Sequence, residues 1–327
     1  MTNSRGGEPL LEVRGLKKWF PIRDGLSRKY VKAVNGVSFA LNRGETLGIV
    51  GESGSGKSTL GRCIIRLTEP TDGEVRFEGR NLLELNKGEL RRFRKKFQMV
   101  FQDPYASLNP RQKIGDIIGE SLRIHGLVRD RNEMRRRIGE ILEMVGIRPE
   151  FAARFPHELS GGQRQRIGLA RALAVSPDLI IFDEAVSALD VSIQAQILNL
   201  INDLQRRLQL SYIFITHDLS VVRQVATHIG VMYLGEMVEF APADELFANP
   251  RHPYTRALLS AVPGYRKGRK RERIKLRDDI PSPIDPPSGC KFHTRCPLAK
   301  EECALRAPET RHASAQHRYA CLLVDPD

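Results

Sequence analysis

At 327 residues, with 41% hydrophobic and 28% charged side chains, the chain has the composition of a globular protein with room for one large domain or two. No run approaches the roughly 18 apolar residues a membrane-spanning helix needs. Met1 to Glu8 carry no apolar signal-peptide core, so the expected location is the cytoplasm, with any membrane attachment supplied by a partner. The net charge of +13 invites a nucleic-acid reading, but it is concentrated in the runs 91–96 and 266–273. Such a run is usually a solvated face, and an anionic lipid surface explains the remainder as well as nucleic acid does.

Residues 9–50 read as β-rich. Leu11 to Arg14 alternate, a polar, Gly-containing excursion follows Phe20 up to about Tyr30, and Ala33 to Leu41 resume alternation. Asn42 to Glu45 form a turn before Thr46-Leu47-Gly48-Ile49-Val50, which reads as a buried strand. Next come Gly51, Glu52, Ser53, Gly54, Ser55, Gly56, Lys57, Ser58 and Thr59, and then apolar residues at helical spacing. Strand, G-x-x-x-x-G-K-S and helix in that order specify a phosphate-binding loop. Its glycines turn backbone N–H groups inward, the helix N-terminus adds a positive dipole end, Lys57 reaches the β- and γ-phosphates, and Ser58 offers a hydroxyl to Mg²⁺. The chain is expected to bind a nucleoside triphosphate.

Further on, short strands are expected at 74–79 and 97–102, the second opening into a proline-containing loop at 103–110. Residues 113–147 have helical periodicity, and Ser160 is placed to cap a helix that ends before Pro177. Leu179 to Phe182 form a continuous apolar run closing on Asp183 and Glu184, as a fully buried parallel strand would. A helix at about 191–208 and a strand at 212–217 complete the alternation, which argues an α/β fold with a parallel central sheet. From Asn249 onward proline and charge suggest a linker and a small, weakly cored tail.

In open α/β sheets ligands bind at the carboxyl ends of the strands. Asp183 there can hold Mg²⁺, Glu184 can polarise the attacking water, and His217, also ending a strand, can meet the γ-phosphate. Gln102 closes its strand before a segment able to move. Leu159, Ser160, Gly161, Gly162 and Gln163 make a second anion site at a helix N-terminus. One chain needs one phosphate cradle, so the second is expected to face a nucleotide held by another subunit.

With Leu-Ser-Gly-Gly-Gln in place, residues 9–250 resemble the ATPase subunit of an ATP-binding-cassette (ABC) transporter. The resemblance implies a P-loop NTPase fold with an N-terminal antiparallel β subdomain and a helical signature subdomain. It makes residues 51–59 the Walker A motif, Gln102 the Q-loop glutamine, 159–163 the signature and Asp183 the Walker B aspartate. Glu184 becomes the catalytic base, Ser187 to Asp190 the D-loop and His217 the switch histidine, with Mg²⁺ bound through Ser58, Gln102 and Asp183. Phe20 is the expected adenine-stacking residue, with Trp19 and Tyr30 as rivals. Ala185-Val186 depart from the Pro-Thr of many relatives, both replacements being small and uncharged.

Three stretches, 102–111, 252–259 and 289–297, resemble the oligopeptide/dipeptide importer branch, which sets 251–327 apart as a C-terminal extension. That resemblance implies a peripheral subunit on the cytoplasmic face of the membrane. Its expected partners are membrane-spanning permease subunits, a second ABC ATPase and, indirectly, an external solute-binding protein, with no nucleic acid. Importers of nickel and other small solutes are related, and a soluble ABC ATPase acting on nucleic acid or ribosomes is the rival class. Cys290, Cys296, Cys303 and Cys321 crowd the tail. In a cytoplasmic chain that favours a metal site over disulfides, and the branch implies a [4Fe-4S] cluster, with zinc or unliganded thiols as alternatives.

Overall fold

In the computed structural model, which describes residues 8–24, 27–102, 107–187, 189–262, 274, 276 and 279–324, the elements run in chain order. The first are β1 (Leu11–Asp24), β2 (Ser27–Leu41), β3 (Thr46–Val50), α1 (Lys57–Ile64), β4 (Asp72–Phe77) and β5 (Arg80–Asn81). There follow α2 (Lys87–Phe93), β6 (Phe97–Val100), α3 (Ile114–Ile124), α4 (Arg131–Met144), α5 (Gly161–Leu173), β7 (Leu179–Asp183) and α6 (Val191–Leu208). The chain continues through β8 (Ser211–Thr216), α7 (Leu219–Val225), β9 (His228–Tyr233), β10 (Glu236–Pro242), α8 (Ala243–Ala248) and α9 (Pro253–Ser260). It closes with α10 (Glu301–Leu305), β11 (Arg311–His312) and β12 (Arg318–Tyr319). These elements form two compact units, one from Met1–Leu83 with Ile215–Asp327, the other from Glu84–Phe214.

In the first unit an antiparallel sheet of order β2-β1-β4-β5 is built on a long hairpin. The excursion expected between Phe20 and Tyr30 is strand instead: β1 and β2 stay paired from Leu11↔Leu41 out to Asp24↔Ser27. Its polar residues hide the strand because both faces there are open to solvent, so no apolar face imposes alternation. A second sheet places β3 parallel to β9, from Leu47↔His228 to Val50↔Val231, and antiparallel pairs carry it on to β10, β12 and β11. Every residue of β3 is buried, which is why its sequence is apolar without alternation.

The tail is better cored than its composition suggests. Glu239 pairs with Tyr319 across β10 and β12, and Phe292 is 1% exposed in a cluster with Val50, Tyr233 and Tyr254. Tyr254, Phe292 and Tyr319 of the tail are buried, against a core that includes distant residues, which local composition cannot reveal.

In the second unit β6 runs parallel to β7 from Phe97↔Leu179 to Val100↔Phe182. The expected helical stretch divides into α3 and α4, with Gly126 at φ +62° between them. Their buried stripes are Ile114, Ile117, Ile118 and Leu122 on α3, and Ile138, Ile141 and Leu142 on α4. Both helices pack on α5. The loop residues 103–106, the basic run 266–273 and Ala188 of the D-loop lie outside the described residues.

Candidate active site: a phosphate loop and a carboxylate pair

The phosphate loop leaves the end of β3 and enters α1. Gly56 occupies the N-cap position of α1 at φ +98°, and a Cβ there would lie 1.9 Å from the Ala33 carbonyl oxygen. At Gly51 a Cβ would lie 2.2 Å from the Met232 carbonyl oxygen. The loop is therefore pressed against the backbone of β2 and β9, and only glycine fits at these two points. A hydrogen bond from the Gly235 N–H to the Ser55 carbonyl, at 3.0 Å, adds a further support.

Lys57 is 4% exposed. Its ammonium donates to the Gly51 carbonyl at 2.8 Å, the Glu52 carbonyl at 2.9 Å and the Ser55 hydroxyl at 3.4 Å. A buried cation is thus held by oxygens of the loop itself, above a helix N-terminus with no acidic residue in its first turn. This combination binds anions. Ser53 and Gly54 are exposed at the tip, while Ser58 and Thr59 sit half-buried in the first turn of α1.

His217 follows β8 and is exposed, and the next residue, Asp218, caps α7 by accepting the Ser220 N–H at 2.7 Å. On the hairpin, Phe20 is 39% and Tyr30 43% exposed. The Trp19 indole N–H donates to Asn35 Oδ1 at 3.3 Å, and the Lys18 ammonium lies 4.8 Å from the Phe20 ring centre. Of the three aromatics, Phe20 and Tyr30 present the more open faces.

In the second unit the apolar strand β7 delivers Asp183, 3% exposed, and the next residue turns out of the strand. Glu184 adopts φ +50°, a left-handed conformation that costs a non-glycine residue on the order of 1–3 kcal/mol and concentrates at functional sites. The conformation is held from behind, the Ser187 N–H and hydroxyl both donating to the Glu184 carbonyl at 3.2 and 2.9 Å. In front, Gln102 Nε2 donates to Glu184 Oε2 at 3.0 Å. The glutamine and the glutamate, 82 positions apart, are thereby brought together.

The signature residues are folded into a capping box. The Gln163 N–H donates to the Ser160 hydroxyl at 3.3 Å, and the Ser160 N–H donates to Gln163 Oε1 at 3.0 Å. Leu159 is buried, and its carbonyl accepts from Arg164 Nε at 2.9 Å. Gly162 packs so close to α6 that a Cβ would lie 2.6 Å from Ile193 Cγ2. Gly161 stands beside it at the start of α5. Asp190, at the N-cap position of α6, is exposed and makes no side-chain cap.

The four tail cysteines carry no disulfide. Burial raises the Cys290 thiol to about 11, and its three neighbours Cys321, Cys303 and Cys296 push in the same direction. Burial raises Cys296 as well. Among the described residues no group of three or more His, Cys, Asp or Glu is placed to hold a metal ion. The expectation of a cluster therefore finds no support in this arrangement.

Two residues that sequence reasoning did not assign to the loop also touch it, Tyr254 and Arg295. The Tyr254 hydroxyl accepts the Glu52 N–H at 2.9 Å, and Arg295 forms an ion pair with the Glu52 carboxylate. They lie 202 and 243 positions from Glu52, and no local pattern links them.

Comparison with known proteins agrees with this geometry. The ABC transporter family model matches residues 34–187, and the model for the oligopeptide/dipeptide transporter C-terminal region matches residues 238–303. An oligopeptide transport ATP-binding protein of Bacillus subtilis is 56% identical over 97% of this chain and 98% of its own length. A dipeptide transport ATP-binding protein of Haemophilus influenzae is 51% identical over 99% of this chain and 100% of its own length. Among solved structures, a dimeric ATP-binding cassette in a post-hydrolysis state with ADP and Pi is 30% identical with a TM-score of 0.63, covering 71% of this chain and 98% of that one. A second, cbiO1 from Clostridium perfringens, part of an ABC transporter complex, is 27% identical with a TM-score of 0.64, covering 74% of this chain and 92% of that one. The glycine-cradled lysine, the strained Glu184 and the capped Leu-Ser-Gly-Gly-Gln helix thus agree with relatives along nearly the whole chain, which belongs to the ABC transporter family of ATPases.

Proposed function

We propose that this ATPase powers the import of dipeptides or oligopeptides as a peripheral subunit on the cytoplasmic face of a membrane transporter. The observation that carries the reading is the tail, where the match to the oligopeptide/dipeptide transporter C-terminal region joins relatives named for oligopeptide and dipeptide transport. The partners in this reading are membrane-spanning permease subunits and a second ABC ATPase, with an external solute-binding protein acting on the far side. No described helix is long and apolar enough to cross a membrane, and in this reading the permease subunits form the permeation path.

In the mechanism we infer, residues 51–59 bind the triphosphate and the Lys57 ammonium exchanges loop carbonyls for β- and γ-phosphate oxygens. Ser58, Asp183 and Gln102 would hold Mg²⁺, which would supply charge neutralisation on the phosphates. Glu184 accepts a proton from the attacking water, and the Gln102 amide orients that carboxylate until the water takes its place. His217 hydrogen-bonds the γ-phosphate, and Phe20 stacks the adenine. The signature residues Ser160 to Gln163 and the D-loop Asp190 complete the site on the partner subunit, whose own signature completes this one. Residues 9–250 are the catalytic part in this reading, and 251–327 an extension specific to the branch.

The test is reconstitution in vesicles with the membrane chains that co-purify. ATP-dependent uptake of labelled di- and oligopeptides is expected. Glu184→Gln should abolish uptake and turnover while leaving ATP binding intact. Uptake of another solute class but not peptides overturns the substrate assignment, and near-normal turnover by the variant overturns the role of Glu184.

The finer reading of the cysteines, a [4Fe-4S] cluster on Cys290, Cys296, Cys303 and Cys321, rests on the sequence alone, where four cysteines fall in one small tail. Anaerobically purified protein should then be brown, with about four irons per chain. Colourless, iron-free protein refutes it.

A further inference from the structure

A glutamate inside a phosphate-binding loop works against the loop's purpose, because its charge repels the incoming triphosphate. Glu52 is such a residue, and the first unit restrains it at three points. Its carbonyl accepts from the Lys57 ammonium at 2.9 Å, and its N–H donates to the Tyr254 hydroxyl at 2.9 Å. Its carboxylate receives both arms of the Arg295 guanidinium, Nη1 to Oε2 at 2.6 Å and Nη2 to Oε1 at 3.1 Å.

Arg295 itself is 5% exposed and lies with its guanidinium carbon 5.9 Å from the Tyr233 ring centre. Tight turns fix its backbone: the Arg295 N–H donates to the Phe292 carbonyl at 3.0 Å, and the next residue, Cys296, donates to the His293 carbonyl at 3.3 Å. Phe292 is anchored in the core beside Tyr233 and Tyr254. The fork is therefore presented rigidly, with little side-chain entropy left to lose on pairing.

We propose that Arg295 is a positioning residue for ATP: it neutralises Glu52 and pins it away from the phosphates, so that the tail sets the nucleotide affinity of the loop. Without Arg295 the carboxylate remains beside the triphosphate, uncompensated. The tail thus contributes to the ATP site of its own chain through one ion pair.

The experiment compares the removal of Arg295 in two backgrounds of the full-length protein, with a fluorescent ATP analogue as the probe and thermal melting alongside. In the wild-type background Arg295→Ala should weaken binding about tenfold and raise KM with little change in kcat. In the Glu52→Gln background the same substitution should cost less than about twofold, because no charge remains to be neutralised. Arg295→Lys keeps the charge but not the fork and should fall between the two; if Arg295→Ala does not fold, the lysine variant decides the question in its stead. Equal losses in both backgrounds, or a lowered melting temperature with unchanged affinity, overturn the proposal. Failure of the wild-type chain to bind the analogue would instead refute the nucleotide reading of the loop.

Discussion

At the scale of single residues, two glycines of the phosphate loop separate backbone strain from collision. Gly54 has φ +78° with nothing within 4 Å of a Cβ, whereas Gly56 has φ +98° and a Cβ there would meet the Ala33 carbonyl carbon and oxygen. Gly54→Ala carries only the left-handed strain, roughly 1–2 kcal/mol. Gly56→Ala adds a clash with backbone of β2, which no rotamer can relieve. We expect Gly54→Ala to keep ATP binding with a small fall in melting temperature, and Gly56→Ala to lose binding with a much larger fall. Equal behaviour in melting and nucleotide titration would refute the distinction. This part of the site was legible in the sequence because a phosphate cradle makes local demands on a few consecutive residues. Arg295 and Tyr254 were not legible, since each meets Glu52 only through the tertiary fold. The strained Glu184 was legible as chemistry, from two carboxylates ending an apolar run, but its conformation was not.

At the scale of elements, two buried histidines tie the tail to β10 and α8. His317, fully buried, places Nε2 2.8 Å from Glu239 Oε1 and Nδ1 2.9 Å from Glu245 Oε1, so the doubly protonated ring serves both carboxylates. Burial opposes that charge, but the hydrogen bonds and charges of Glu239 and Glu245 outweigh it and raise the pKa. The second histidine, His252, is pushed by burial down to about 4, against the opposing pull of Glu239. The signs are opposite. His317 contributes stability that is full below pH 6.5 and is lost as the pH rises through its raised value. His252 contributes on the order of 3 kcal/mol that is full above pH 6.5 and is lost as the pH falls toward 4. Melting temperature should peak near pH 6.5, and His317→Gln should flatten the alkaline side alone. An unchanged alkaline slope in that variant would contradict the assignment. The elements themselves divide in legibility along the same lines. The buried strands β3 and β7 and the capped helix α5 were plain from apolar runs and capping residues. The outer half of the β1–β2 hairpin was hidden, because pairing between backbones leaves no signature in polar side chains.

At the scale of the whole molecule, the α/β class and the family could be read from motif order, because each motif combines a strand end with a turn. The assembly of the first unit from the two ends of the chain could not, since nothing in the residues around 83 or 215 marks the change. That discontinuity bears on the order in which the protein acquires its parts. The strand that launches the phosphate loop is flanked by β9, whose first partner residue, His228, lies 181 positions after Leu47, and the fork on Glu52 comes from residue 295. Loop closure over such distances is slow, and a nascent chain emerges at roughly 5–20 residues per second. The second unit is continuous in sequence, whereas the pairing of β3 with β9 and the ion pair on Glu52 wait for residues made much later. A prematurely terminated product lacking the tail would therefore be born with the Glu52 carboxylate unpaired and a weaker hold on ATP, so that full nucleotide affinity marks a finished chain.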